Sequence, residues 1–123
     1  MRLTETEEVL MHHLWQLEKA FMKDLLDAYP EPRPAPTTVA TLLKRMIDKG
    51  FVAYREYGNS REYYPLVAKE EYLSRRMKGL ISSFFNDSAG QFASFFTRSA
   101  DLSASELEDL KKIIDQQLKQ KKP

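Results

Sequence analysis

The sequence contains no cysteine, which removes disulfides, thiol nucleophiles and thiolate metal sites and points to a reducing, cytoplasmic setting. Glycine is scarce as well. Four glycines in 123 residues are too few for a phosphate-cradling loop, and there is no Ser/His/Asp order, HExxH pattern or glycine-rich nucleotide motif. The only histidines, His12 and His13, are adjacent, so on a helix they project about 100° apart and do not converge on one metal ion. The chain is therefore expected to be no enzyme and to need no metal or cofactor. Long apolar runs are missing too: charges recur every few residues, and Met1-Arg2-Leu3-Thr4-Glu5 has no signal-peptide apolar core, so no membrane insertion is expected.

Charge of one sign is not in excess either. Nineteen basic against 18 acidic side chains leave a net +1, which excludes polyanion binding by bulk attraction. Any anion-binding surface must be local. Residues 1–32 carry 3 basic and 7 acidic groups (−4), residues 33–65 carry 6 and 3 (+3), and residues 66–123 carry 10 and 8 (+2). The length suits one small domain with an appended interaction segment.

Thr4-Glu5-Thr6-Glu7 is a capping-box signature, and Leu10, Leu14 and Leu17 with Met11 and Trp15 form one apolar face, predicting a helix from about Glu5 to Glu18 with Trp15 as a core anchor. Ala20-Phe21-Met22 suggests a strand-like pair before a brief second helix bearing Met22, Leu25, Leu26 and Tyr29. Four prolines between Pro30 and Pro36 then enforce an extended connection. Val39, Leu42, Leu43, Met46 and Ile47 predict a third helix closed by Gly50. Phe51 to Tyr57 and Arg61 to Pro65, joined by the turn residues Gly58-Asn59-Ser60, read as a β-hairpin whose tip is positively charged through Arg55 and Arg61. Further helices are expected from Lys69 to about Phe85, after the cap Ser88-Ala89-Gly90-Gln91, and after the cap Ser103-Ala104-Ser105-Glu106, followed by a frayed basic tail from Lys119 to Pro123.

Helix, helix, proline-stiffened turn, helix, hairpin is the order of a winged helix-turn-helix module, here mostly α with a small β-hairpin. Such a module needs a third helix that is apolar inside and small-polar plus cationic outside, and a hairpin tip able to reach phosphate. Thr37, Thr38, Thr41, Lys44 and Arg45 supply the first; Arg55, Asn59, Ser60 and Arg61 supply the second. These nine are the expected contacts to double-stranded DNA. Tyr54, Tyr57, Tyr63 and Tyr64 could instead stack single-stranded bases, but such tyrosines more commonly pair across a hairpin. A winged helix used only for protein contacts is the competing class, and it calls for an apolar third-helix face, which Thr37, Thr41 and Lys44 do not make. The division expected is a winged-helix DNA-binding domain over residues 1–67 and a helical dimerisation region over residues 68–123. In the latter, Leu80, Phe84, Phe85, Phe92, Phe95, Phe96, Leu107, Leu110 and Ile114 are too many large apolar groups for short helices to bury alone, which predicts a homodimer.

With these residues laid out, the chain resembles the BlaI/MecI/CopY family of bacterial repressors. The resemblance is carried by Leu3-Thr4, Leu14-Trp15, Thr38-Val39, Thr41-Leu42-Leu43-Lys44-Arg45-Met46, Lys49-Gly50, Tyr64-Pro65-Leu66-Val67, Glu70-Glu71-Tyr72, Asp101-Leu102-Ser103 and Glu106-Leu107. It implies a dimeric repressor on an inverted-repeat operator, often controlling β-lactam resistance, with base reading at Thr37, Thr38, Thr41 and Arg45. It also implies release by cleavage triggered by a membrane sensor-protease. The family's copper-responsive branch has a cysteine-rich C-terminus that is absent here, which sets copper sensing aside. Its penicillinase branch is cut at an Asn-Phe bond, and the corresponding pair here is Phe95-Phe96.

Overall fold

In the computed structural model, which describes residues 2–122, Thr4 opens the first helix as predicted. Its hydroxyl accepts from the Glu7 N–H (3.3 Å), and the Glu7 carboxylate accepts from the Thr4 N–H (2.8 Å), closing the capping box. Helix α1 (Glu5–Leu17) ends one residue earlier than predicted, just before Glu18, whose φ of 68° turns the chain into strand β1 (Ala20–Phe21). Helix α2 (Met22–Ala28) follows at once, and the Asp24 carboxylate accepts from the Phe21 N–H (2.9 Å). The proline run ends differently from expectation. Pro36 is the first residue of helix α3 (Pro36–Asp48), where a missing N–H costs nothing and a fixed φ favours the helix. Lys49 caps α3, and Gly50, with φ of 82°, leads out of it.

Strands β2 (Val52–Tyr57) and β3 (Ser60–Pro65) form the hairpin, and β1 adds to its β3 side, giving a three-stranded antiparallel sheet of order β1-β3-β2. Three helices complete the chain: α4 (Lys69–Phe84), α5 (Ala89–Ser99) and α6 (Ala104–Lys121). The cap of α6 is a full box, with Ser103 and Glu106 bonded reciprocally at 3.1 and 3.0 Å. That of α5 is only half of one: Ser88 accepts from the Gln91 N–H (3.1 Å), while the Gln91 side chain turns to Asn86 (3.4 Å). The basic tail expected to fray is helical as far as Lys121. Pro123 lies outside the described residues.

The chain divides into two compact units, Met1–Arg76 and Met77–Pro123. In the first, Leu10, Met11 and Leu14 of α1 meet Val39, Leu42, Leu43 and Met46 of α3, with Leu25, Val52 and Tyr63 closing the core. Trp15 is half-buried at its margin, less enclosed than predicted; its Nε1–H donates to the Val67 carbonyl (2.8 Å) and ties α1 to the chain leaving the sheet. Tyr72 of α4 is buried, and its hydroxyl donates to the Glu8 carboxylate, which also pairs with Arg76. His12 is exposed. His13 lies half-buried against the Tyr29 ring (centroids 4.5 Å apart), where burial and then the neighbouring His12 push its pKa down.

Glu7 does more than cap α1. Its side chain is 1% exposed, and both carboxylate oxygens accept from the Lys49 ammonium at 2.8 Å, joining the start of α1 to the end of α3. Burial pushes this carboxyl up, but the Lys49 and Thr4 hydrogen bonds outweigh it and hold the pKa below the ordinary 4.5. A depressed folded-state pKa stabilises fully above the unfolded value, and that contribution disappears as pH falls through the folded one. Chemical-denaturation midpoints should therefore drop as pH is lowered from about 5 to about 3. Glu7→Gln should cost about 2 kcal/mol at neutral pH and flatten this acid limb; an unchanged midpoint would show that the pair is not holding the helices.

Candidate nucleic-acid interface

The alternation that buries Val39, Leu42, Leu43 and Met46 leaves Thr37, Thr38, Thr41, Lys44 and Arg45 exposed along the other side of α3, together with Ala40 and Asp48. All five sequence-predicted residues of this helix are thus brought to one surface. Thr41 donates its hydroxyl proton to the Thr37 carbonyl (3.0 Å), which leaves its methyl group and an oxygen lone pair for a partner. No bulky apolar side chain stands among them.

The hairpin differs from expectation in one residue, with consequences for charge. Its loop is the two residues Gly58-Asn59, with φ of 60° at Gly58, and Ser60, expected in the turn, is the first residue of β3 and pairs with Tyr57. A three-residue loop would have put Arg55 and Arg61 on one face. The two-residue loop shifts the register by one and puts them on opposite faces, Arg55 across from Glu62 and Arg61 across from Glu56. Each arginine thus has a glutamate as its cross-strand neighbour, though neither pair is among the ion pairs of the described residues. Each arginine lies over a tyrosine ring, Arg61 over Tyr54 at 4.3 Å and Arg55 over Tyr64 at 5.8 Å. Tyr54 and Tyr63 pair across the strands (5.9 Å) and Tyr57 meets Phe21 (6.0 Å), so the tyrosines hold the ribbon together.

Folding also spends part of the +3 block. Arg33 pairs with Asp27 (3.0 Å) and Glu31 (3.4 Å), and Lys49 is taken by Glu7. Lys44, Arg45, Arg55 and Arg61 enter none of the ion pairs among the described residues. The unpaired cations of the block therefore stand on α3 and on the hairpin. Lys23, in the acidic first third, was missed by segment arithmetic, yet it lines an open groove of about 340 Å³ with Asn59, Ser60 and Arg61. Its signal in the sequence is nil, because only β1–β3 pairing brings it to the hairpin.

In the second unit, Phe85 lies 5.7 Å from Phe92 and 5.4 Å from Phe95, and Phe92 stacks on Phe96 (6.3 Å). Phe85, Phe92 and Leu110 are half-buried. Leu80, Phe84, Phe95, Phe96, Leu107 and Ile114 stay exposed, Phe84 at 75% and Ile114 at 62%, and Met77, Ile113 and Leu118 join them. Neither α5 nor α6 contains a buried residue. Phe95-Phe96 sits inside α5. Among the described residues no cluster of three or more potential metal ligands occurs, and no helix is long and apolar enough to cross a membrane.

A helix with a polar, cationic outer face, set beside a two-residue-looped hairpin in the order α1, β1, α2, α3, β2, β3, is a winged helix-turn-helix module. The family model described as penicillinase repressor matches residues 3–116, and the chain belongs to that family. It is thus a transcriptional repressor by class and not an enzyme, as the sequence predicted. It is 24% identical over 114 residues to the methicillin resistance regulatory protein MecI of Mammaliicoccus sciuri, covering 92% of this chain and 93% of that protein. Identity to MecI of Staphylococcus aureus (strain N315) is 23% over the same coverage. The penicillinase repressor of Bacillus licheniformis is 20% identical over 122 residues, covering 98% of this chain and 95% of the relative. Among solved structures, a CopR repressor aligns with 55% of this chain and 99% of its own at 26% identity and a TM-score of 0.46. A mutant MarR from E. coli aligns with 94% of this chain and 78% of its own at 13% identity and a TM-score of 0.49.

Proposed function

We propose that this protein represses transcription in the cytoplasm by binding an inverted-repeat operator in double-stranded DNA as a homodimer. The observation that carries the reading is the outward face of α3, where three threonines and two unpaired cations stand exposed with no large apolar group among them. Thr37, Thr38 and Thr41 are suited to base edges and thymine methyls, Arg45 to guanine, and Lys44 to phosphate. Arg55, Asn59, Ser60 and Arg61 hold the backbone from the hairpin, at short range because its net charge is balanced. Arg45→Ala and Thr41→Ala should each weaken binding to the protein's own promoter by about 1–3 kcal/mol, whereas Arg61→Ala should weaken all duplexes alike. Fluorescence titration checks this, and equal wild-type affinity for promoter and random duplex at physiological salt would remove the operator reading.

The second unit, which begins at residue 77 where the expected region began at residue 68, fits the role of dimerisation region. Its exposed leucines, isoleucines and phenylalanines match the apolar character of obligate homodimer surfaces. Phe84→Glu or Ile114→Glu should raise the dimer dissociation constant at least about tenfold, since each places a charge in an apolar contact. Light scattering on the intact variants reads this directly, and a wild-type chain that is monomeric at micromolar concentration contradicts it.

Release by a membrane sensor-protease, cutting at Phe95-Phe96, is the regulatory part of the reading and is supported by the family. Because the pair is helical, the segment has to unwind locally before a protease can take it in extended form. Mass spectrometry on cells exposed to a cell-wall antibiotic should find the chain cut there; an intact chain that has left its operator would assign release to another signal.

A further inference from the structure

Lys23 stands in the most acidic third of the sequence, and nothing beside it in the chain marks it for a role. The fold moves it to the wing. Strand β1 pairs with β3 through Phe21↔Glu62, so the residues that follow β1 come to rest next to the hairpin tip. Phe21, Met22 and Lys23 line the groove of about 340 Å³ together with Asn59, Ser60, Arg61 and Tyr63 of the hairpin. Its lining thus combines an ammonium, a guanidinium, an amide and a hydroxyl with the apolar side chains of Phe21 and Met22. Lys23 is exposed and, like Arg61, takes part in none of the ion pairs among the described residues. The nearest carboxylate in sequence, Asp24, spends one oxygen on the Phe21 N–H (2.9 Å). Two cations with hydroxyl and amide donors between them are complementary to a tetrahedral anion flanked by less polar surface, which describes a phosphodiester and its sugars.

We propose that this groove receives a backbone phosphate of the duplex whose bases α3 reads, with Lys23 and Arg61, which both line it, supplying the two cations. The inference rests on the operator-binding reading above and extends it to a residue outside α3 and the hairpin. It makes the wing's phosphate site a composite one: the hairpin alone presents balanced charge, and the excess cation comes from the start of α2. A contact of this kind is indifferent to sequence and sensitive to salt, because it acts by releasing counterions.

The test titrates the full chain with labelled own-promoter and random duplexes across a salt series, for wild type, Lys23→Gln, Lys23→Arg and, as an exposed lysine outside the groove, Lys69→Gln. Lys23→Gln is expected to weaken both duplexes about fivefold and to lower the salt slope by about 0.9, one phosphate's worth. Lys23→Arg should restore both, Lys69→Gln should change neither, and all variants should melt with wild type because Lys23 holds nothing in the fold. Wild-type binding with Lys23→Gln unchanged in affinity and slope overturns the inference while leaving the operator reading intact. A loss confined to the promoter duplex also overturns it, since Lys23 would then be reading a base. If the wild-type chain binds neither duplex, the operator reading fails first and the groove assignment falls with it.

Discussion

One buried carboxylate sets the frame of the first unit. Glu7 accepts from the Thr4 N–H at the start of α1 and from the Lys49 ammonium at the end of α3, so a single side chain fixes where one helix begins against where the other ends. An apolar interface between two helices tolerates small slides along its length, whereas a two-oxygen contact to one ammonium does not. With the end of α3 placed, its 3.6-residue period determines which residues face Leu10, Met11 and Leu14 and which face outward. The threonine and arginine surface is in this sense positioned by a residue that never approaches it.

What was legible in the sequence follows the range of the interactions responsible. The caps at Thr4 and Ser103, the inward stripe of α3 and the glycines at positions 50 and 58 depend on neighbours within four residues, and all appear where expected. The Glu7–Lys49 pair spans 42 residues and shows in the sequence only as half of a capping box. The hairpin turn was misjudged by a single residue, because whether Ser60 belongs to the loop or the strand reverses the face of every side chain beyond it. Lys23 was missed for a related reason: two residues of strand pairing, with no alternation long enough to announce a strand, decide what it stands beside.

The two units are built on different terms. The first encloses its large apolar side chains and leaves a polar surface; in the second the helices are specified by their own caps, and their apolar side chains remain largely in contact with solvent. A helix of eleven residues such as α5 is marginal in isolation, so packing has to supply most of its stability. The same economy of apolar contact leaves α5 an easy segment to unwind. Helix α4 begins among the contacts of Glu8 with Tyr72 and Arg76 and continues past them, so its first turns pack with the first unit.

The near-neutral charge of the chain has a consequence for motion along a genome under the operator-binding reading. With a net charge of +1, and with Arg33 and Lys49 held in ion pairs, little long-range attraction is left to steer the protein toward a polyanion. On the operator-binding reading, a regulator so constituted would encounter its target at an ordinary rather than an accelerated rate. Its time at any locus would then be governed by contacts that form only once the α3 face is seated. Discrimination would arise in how long it stays, while arrival would be nearly blind.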